Sequence, residues 1–416
     1  MDVELQLERL RRGAATLVPE EELRRKLSEG RPLRAKLGID PSAPQLTLGH
    51  AVVLRKLRDF QELGHVAVLI VGDFTRLIGD PSGRTSARPP MTREEIERNM
   101  AGYVEQAYKI LDEEKTEIRY NSEWLGKLSF EDVIRLSSKY TVARMLERDD
   151  FQRRFKQGLP ITIMEFLYPL AQAYDSVAIE ADVELGGEDQ RFNLLIGRAI
   201  QESFGQEPQV VLTMPLLIGT DGRRAMSQSR GNYIGLAEPP KEMFGKVMAL
   251  PDHLLIQYFT LLTDVSEEEI AEMERAMRED RDRVNPRDLK LRLAREITAQ
   301  FHSEEAAAEA EEEFVRVFQR EELPSELPTL VLENEEISPI DLLIATGMVE
   351  SRSEARRLID QGGVRLDGER VRGLEPVQVK DGAVLRIGKR RFIRLRTADQ
   401  EDHQDEQDEE SNTEEE

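Results

Sequence analysis

The first thirty residues carry apolar positions at helical spacing among charged ones and stop at Gly30, which predicts an amphipathic helical entry. The pattern then changes. RAKLGID (34–40) reads as a short apolar strand broken by Gly38, and PSAPQLTLGH leads into AVVLRKLRDFQELG (51–64), whose apolar residues again recur at helical spacing. HVAVLIVGDF (65–74) is a continuous apolar run, as in a strand buried on both faces. Strand, glycine loop, helix and buried strand make the start of a parallel βαβ unit. Further strands are predicted at SVAIEADVELGG (176–187) and QVVLTMPLLI (209–218), with helices between, so residues 31–235 read as one doubly wound, Rossmann-like α/β domain. With the entry helix this first domain covers 1–235.

Residues 236–325 are helical and highly charged, and read as a helix bundle. The proline-bearing LPSELPTL (323–330) predicts a linker, placed at 326–335. A small α/β module follows over 336–397, and the tail at 398–416 has almost no apolar residues and reads as disordered.

Composition narrows the function classes. The 416 residues, 39% hydrophobic and 33% charged, are enough for two or three domains with real cores. The absence of cysteine excludes disulfides, thiolate catalysis and cysteine-built zinc sites, and the five histidines are too scattered to predict a metal cluster. No apolar run reaches the roughly 18–20 residues of a membrane helix, and MDVELQLERLRRG lacks a signal-peptide core, so a cytoplasmic protein without a membrane partner is expected.

The net charge of −23 is unevenly spread. Residues 399–416 hold 11 acidic and no basic residues, whereas 351–398 hold 13 Lys or Arg against 6 Asp or Glu. Phosphate binding depends on local charge, so a basic module behind an acidic body fits selective RNA contact. A solvated basic surface fits the charge equally well.

Five stretches carry candidate chemistry. Gly38, Asp40 and Ser42, followed by Thr47-Leu48-Gly49-His50, lie where a helix starts after a parallel strand. Such a corner offers free N–H groups and a positive dipole end to a phosphate, although a Gly-x-His corner also serves as a packing or capping device. GDFTRLIGDPSGRTSARPP (72–90) is a long loop after a buried strand, at the end of the sheet where ligands bind, and brings Asp73, Asp80, Arg84 and Arg88. Its arginines could hold a pyrophosphate.

Tyr168, Gln172 and Asp175 stand at i, i+4 and i+7, on one face of a helix whose neighbours Leu167, Leu170 and Ala171 are apolar. Burying them without partners costs on the order of 1–3 kcal/mol each, so a polar ligand is expected there unless the stripe faces solvent. GGEDQRFN (186–193) presents Asp189 and Gln190 at a strand end, and TDGRRAMSQSRGN (220–232) has the composition of a mobile lid.

These motifs together carry a resemblance. LGIDPSAPQLTLGH resembles the HIGH region of class I aminoacyl-tRNA synthetases, and with GDPSGR, YPLAQAYD, GGEDQRFN and AMSQS the chain looks specifically like the tyrosyl-tRNA synthetases, in the right order to about residue 395. The basic module, with SRSEARRLI and GGVRLDGE, is similar to an S4-type RNA-binding domain, which implies tRNA contacts at Arg352, Arg356, Arg357 and Arg365. The resemblance implies ATP with Mg²⁺, tyrosine and tRNA(Tyr) as substrates, and a homodimer. By matching position, Asp80, Tyr168, Gln172, Asp175 and Gln190 would hold tyrosine, with Asp175 accepting from the phenol and Tyr168 and Gln172 holding the ammonium. Gly38, Asp40, Ser42, Gly49, His50, Asp189, Met226, Ser227 and Ser229 would contact ATP, with Asp40, Gly49 and His50 on its adenosine side; Thr47, His50, Arg84, Arg88 and Gln228 would be catalytic, with Arg84 and Arg88 on the departing pyrophosphate.

Three family positions differ: Thr47 stands at the first position of HIGH, and Ala225 and Gln228 replace the two lysines of KMSKS. Two expectations follow, a working ligase with altered ATP chemistry, or a non-catalytic relative that retains tyrosine or tRNA binding.

Overall fold

A computed structural model of the chain describes residues 2–81, 91–279, 285–319, 327–332, 334–388 and 391–397. Arg84, Arg88 and the acidic tail fall outside the described residues. Contacts divide the chain into two compact units, Met1–Glu311 and Glu312–Glu416. The helical segment expected to begin at 236 packs with the first unit as far as 311.

The first unit is built on a six-stranded sheet of β1 (Thr16–Val18), β2 (Arg34–Ile39), β3 (Val66–Val71), β4 (Thr116–Tyr120), β5 (Val183–Gly187) and β6 (Val210–Met214), in the order β1-β6-β5-β2-β3-β4. All neighbours are parallel except β1, which runs antiparallel along β6. The middle strands are buried over almost their whole length because helices cover both faces, as the unbroken apolar run of β3 predicts. From β2 the chain winds outward through β3 and β4, then returns to pair β5 on the opposite side of β2, with Ala35 beside Val183. The order of winding therefore reverses between β2 and β5, and the carboxyl ends of these two strands open a crevice at the switch point.

Local sequence explains the flanking helices. Helix Leu48–Glu62 turns its apolar stripe of Leu54, Leu57 and Phe60 inward. Helix Ile163–Ala178 starts at a capping box, Thr162 with Glu165, and carries Pro169 in its interior. Glu165 also meets Arg154 at 2.5 Å in a fully buried ion pair.

Three expectations are corrected. The entry segment is not one helical stretch: helices Val3–Arg11 and Glu20–Ser28 are separated by β1, whose Thr-Leu-Val is paired to β6. The strand expected over 176–187 is shorter, because 176–178 form the last turn of the preceding helix and only Val183–Gly187 pair in the sheet. The stretch expected as a linker at 326–335 contains a strand, β7 (Thr329–Leu332).

In the second unit β7 joins β9 (Val364–Leu366), β10 (Glu369–Arg370), β12 (Val384–Ile387) and β13 (Arg391–Thr397) in the order β10-β9-β12-β13-β7, while β8 (Glu336–Ile337) pairs β11 (Val377–Gln378). The β9–β10 turn uses Asp367 and Gly368, both with positive φ, as a tight two-residue hairpin requires. Helices Pro339–Ala345 and Arg352–Asp360 start at serine caps, Ser338 and Ser351, and close a core of Leu342, Leu343, Ala355, Ile359, Leu385 and Leu395. No described helix is long and apolar enough to cross a membrane.

Candidate active site

The crevice at the switch point holds a cavity of about 430 Å³. Its lining includes each described residue that the sequence assigned to tyrosine, ATP or pyrophosphate, drawn from the ends of β2 and β5, the segment after β3, the helix starting at Leu48, the helix Ile163–Ala178 and the 218–232 segment.

The deep end is polar. Tyr168, Gln172 and Asp175 share the inward face of the helix Ile163–Ala178, as their spacing predicts. The Asp175 carboxylate is 3% exposed and accepts from Trp124 Nε1 at 2.7 Å and from Asn121 Nδ2 at 3.2 Å. Burial pushes this carboxyl up to about 7, against the lowering pull of Lys36 and of the two donors. The Tyr168 hydroxyl donates to Asp40 Oδ2 at 2.8 Å, and Thr75 donates to the other oxygen at 2.8 Å. Gln190 Nε2 donates to Asp80 Oδ2 at 2.8 Å while Asn193 Nδ2 donates to Gln190 Oε1 at 3.0 Å, which fixes the direction of that amide. Gly72 is required here by proximity: a Cβ would collide with Asp40 Oδ1 and Thr75 Oγ1.

The outer end begins at the helix N-terminus. Thr47 is the N-cap of Leu48–Glu62, and its backbone N–H donates to His50 Nδ1 at 3.1 Å. Burial pulls the imidazole down to about 4, so His50 is neutral near pH 7. With Nδ1 accepting, the ring proton sits on Nε2. Gly38, Ser42, Gly49 and Asp189 complete this side of the lining.

Opposite lie Ala225, Met226, Ser227, Gln228 and Ser229. This segment is tied down at several points: Ser227 N donates to Asn232 Oδ1 at 2.9 Å, Met226 N to the Leu217 carbonyl at 2.7 Å, and Gln228 Nε2 to the Gln45 carbonyl. Arg230 donates to the Ala225 carbonyl at 2.9 Å.

Asn121, Trp124 and Lys36 escape the sequence reading. Asn121 and Trp124 follow β4, a strand with a single aliphatic residue and no fully buried position, so nothing local marks it. Trp124 is the lone tryptophan of the chain, which was the available signal. Lys36, inside an apolar strand, is an anomaly that asks for a buried partner.

A twisted parallel sheet, a ligand crevice at the strand-order reversal and a helix N-terminus beside a polar floor define a class I, nucleotide-binding type of synthetase domain. Comparison with known proteins agrees. The family model for class I tRNA synthetases (W and Y) matches residues 28–319, and the S4 domain model matches 338–381. The tyrosine–tRNA ligase of Thermotoga maritima is 58% identical over 396 residues, covering 95% of this chain and 98% of the relative. That of Moorella thermoacetica is 53% identical over 401 residues, covering 95% and 97%. Among solved structures, a C-terminally truncated mitochondrial tyrosyl-tRNA synthetase of Aspergillus nidulans superposes with a TM-score of 0.63 at 22% identity, over 75% of this chain and 94% of that one, which shows the shared fold. The chain belongs to the tyrosyl-tRNA synthetase family, with a C-terminal S4 domain.

The Asp175 carboxyl gives a pH signature. Its value in the fold lies above the ordinary carboxyl value of about 3.9, so the fold favours the protonated form. The corresponding stability is complete below pH 4 and lost as pH rises through about 7. Relative to Asp175→Asn, the natural protein is expected to lose about 2–3 kcal/mol between pH 5 and pH 8, read by urea unfolding. A pH-independent difference would mean that Asp175 is already ionised at pH 5.

Proposed function

We propose that this chain is a tyrosine–tRNA ligase. The tyrosine carboxylate attacks the α-phosphorus of ATP, supplied as its magnesium complex; pyrophosphate leaves, and the 3′-terminal ribose hydroxyl of tRNA(Tyr) then takes the tyrosyl group and releases AMP. The observation that carries the reading is the buried Asp175 carboxylate at the closed end of the cavity, which two neutral donors hold in place and which has lone pairs left for a phenol. Asp80, Tyr168, Gln172 and Gln190 would then surround the ammonium and carboxylate of tyrosine. Such a pocket rejects phenylalanine because the lost hydroxyl leaves a buried acceptor unanswered; the discrimination is roughly 10⁵, a magnitude that comes from tyrosyl-tRNA synthetases themselves.

ATP would lie across the outer end. Gly38 and Gly49 allow close approach, Asp40, Ser42 and Asp189 offer polar contacts, and Met226, Ser227 and Ser229 line the same space. His50, neutral with its proton on Nε2, is a donor suited to a phosphate oxygen; Thr47 orients it, and Gln228 with Arg84 and Arg88 would meet the departing pyrophosphate. The chain supplies placement and charge stabilisation, not a nucleophile. Arg230, which donates to the Ala225 carbonyl, is a cation of the same segment that would offset the missing lysines.

A binding-only relative remains the second reading, favoured by one observation: the Gln228 amide is turned to the Gln45 carbonyl, not outward. In the second unit Arg352, Arg356, Arg357 and Arg365 are exposed and would contact tRNA phosphates, although Arg352 also pairs with Asp341 at 2.6 Å. A cytoplasmic location fits this substrate set.

Tyrosine-dependent exchange of pyrophosphate into ATP tests the reading. The natural chain is expected to exchange, and Arg230→Ala to slow exchange about 10²- to 10³-fold, as for removal of one charge-stabilising donor. Tyrosine binding with no exchange, restored by Thr47→His with Ala225→Lys, would establish the binding-only relative instead.

We also propose a homodimer. Phe130, Ile134, Val142, Phe155 and Ile163 are 56–81% exposed and fall within one stretch of chain whose helices share the core of Leu136, Met145, Phe151 and Leu170. Sedimentation equilibrium is expected to give a dimer, and Phe155→Asp with Ile163→Asp a monomer; an unaltered dimer would place the interface elsewhere.

A further inference from the structure

Beneath the cavity floor lies a charge pair that none of the assigned roles uses. Lys36 on β2 and Glu184 on β5 face each other across the switch point, 2.9 Å apart and both essentially unexposed. The three protons of Lys36 Nζ are all taken, by Glu184 Oε1, by Ser176 Oγ at 2.8 Å and by the Gln172 backbone carbonyl at 2.9 Å. Glu184 in turn accepts from Lys36 and Gln172 Nε2 on one oxygen, and from Ser176 Oγ and Gln209 Nε2 on the other. A Cβ at Gly197 would run into Gln209 Nε2, so that glycine makes room for the cluster.

The cluster dictates how Gln172 is turned. A carboxylate offers only acceptors, so the carboxamide beside Glu184 has to turn its NH₂ group toward it. That bond is 3.1 Å long, and the opposite atom, Gln172 Oε1, is buried with no partner among the described residues, on a side chain that lines the cavity. A buried acceptor left unanswered is costly, and a ligand donor would answer it.

We propose that Glu184, neutralised by Lys36, is a positioning residue that locks the Gln172 amide with its NH₂ toward the pair and its oxygen on the other side, and so selects a ligand whose ammonium group donates to that oxygen. This rests on the reading of the cavity as a tyrosine pocket. The pair stands one layer behind the ligand: Lys36 holds the charge of Glu184 in place, Glu184 sets the amide, and the amide oxygen meets the substrate.

Replacing Glu184 by Gln gives the neighbour a donor of its own, so the Gln172 amide is free to reverse and present NH₂ to an ammonium. The test measures the dissociation constants of L-tyrosine and of 3-(4-hydroxyphenyl)propionate, which lacks the ammonium, by calorimetry on the full chain; neither needs catalysis. Glu184→Gln is expected to weaken tyrosine about tenfold and leave the desamino acid unchanged, the signature of one misdirected hydrogen bond. Lys36→Met/Glu184→Gln, which carries no uncompensated buried charge, is expected to do the same and covers the case in which the single variant fails to fold. Equal weakening of both ligands, or of neither, in a folded variant would overturn the proposal. Gln172→Leu separates the two readings: if it leaves tyrosine binding intact, the assignment of Gln172 to the ammonium fails whatever Glu184 does.

Discussion

Two neighbouring parallel strands whose connections leave in opposite directions cannot both be covered at their carboxyl ends, and the site depends on this constraint. β2 and β5 pair directly, yet the chain leaves β2 toward β3 and enters β5 from the helix Ile163–Ala178. The space left between the departing segments is the cavity. Once the crevice exists, its floor has to be polar in a controlled way: Asp175, Asp40 and Asp80 line the cavity, Glu184 lies beneath it, and each of the four carboxyl groups is met by a donor from a different element. Lys36 lies beside Glu184 and lowers the Asp175 carboxyl against the effect of burial, so the acidity of the pocket is set partly from below.

The outer rim follows a different logic. The segment between Leu217 and Asn232, which carries Ala225 and Gln228, is pinned by backbone and amide bonds. The Asp175 end of the cavity and the 225–229 segment are thus held by different sets of hydrogen bonds.

Much of this was legible in the chain, and the exceptions have physical causes. The buried run of β3 and the Tyr168, Gln172, Asp175 stripe are strong periodic signals, and the structure has both. β4 is half-buried along its whole length and offers no run or alternation, so the pattern around Asn121 and Trp124, which hold Asp175, does not mark them, and only the rarity of tryptophan does. β1 and β7 are short strands paired to distant partners, β6 and β13, and their neighbours in sequence point to helix or to linker. The strand expected at 176–187 was too long because a buried helix end and a buried strand are both apolar, and only the turn between them, with Glu180 at positive φ, separates the two. Periodicity reports what a residue's own element does. It is silent on which distant side chain arrives opposite it.

The central claim is that the closed end of the cavity is built around the phenol of tyrosine. A crystal structure of the full chain with a non-hydrolysable tyrosyl-adenylate analogue tests this most directly. The phenol oxygen is expected within hydrogen-bond distance of the Asp175 carboxylate, and the adenine beside Gly49 and His50. An analogue bound the other way round, or a phenol held away from Asp175, would contradict it.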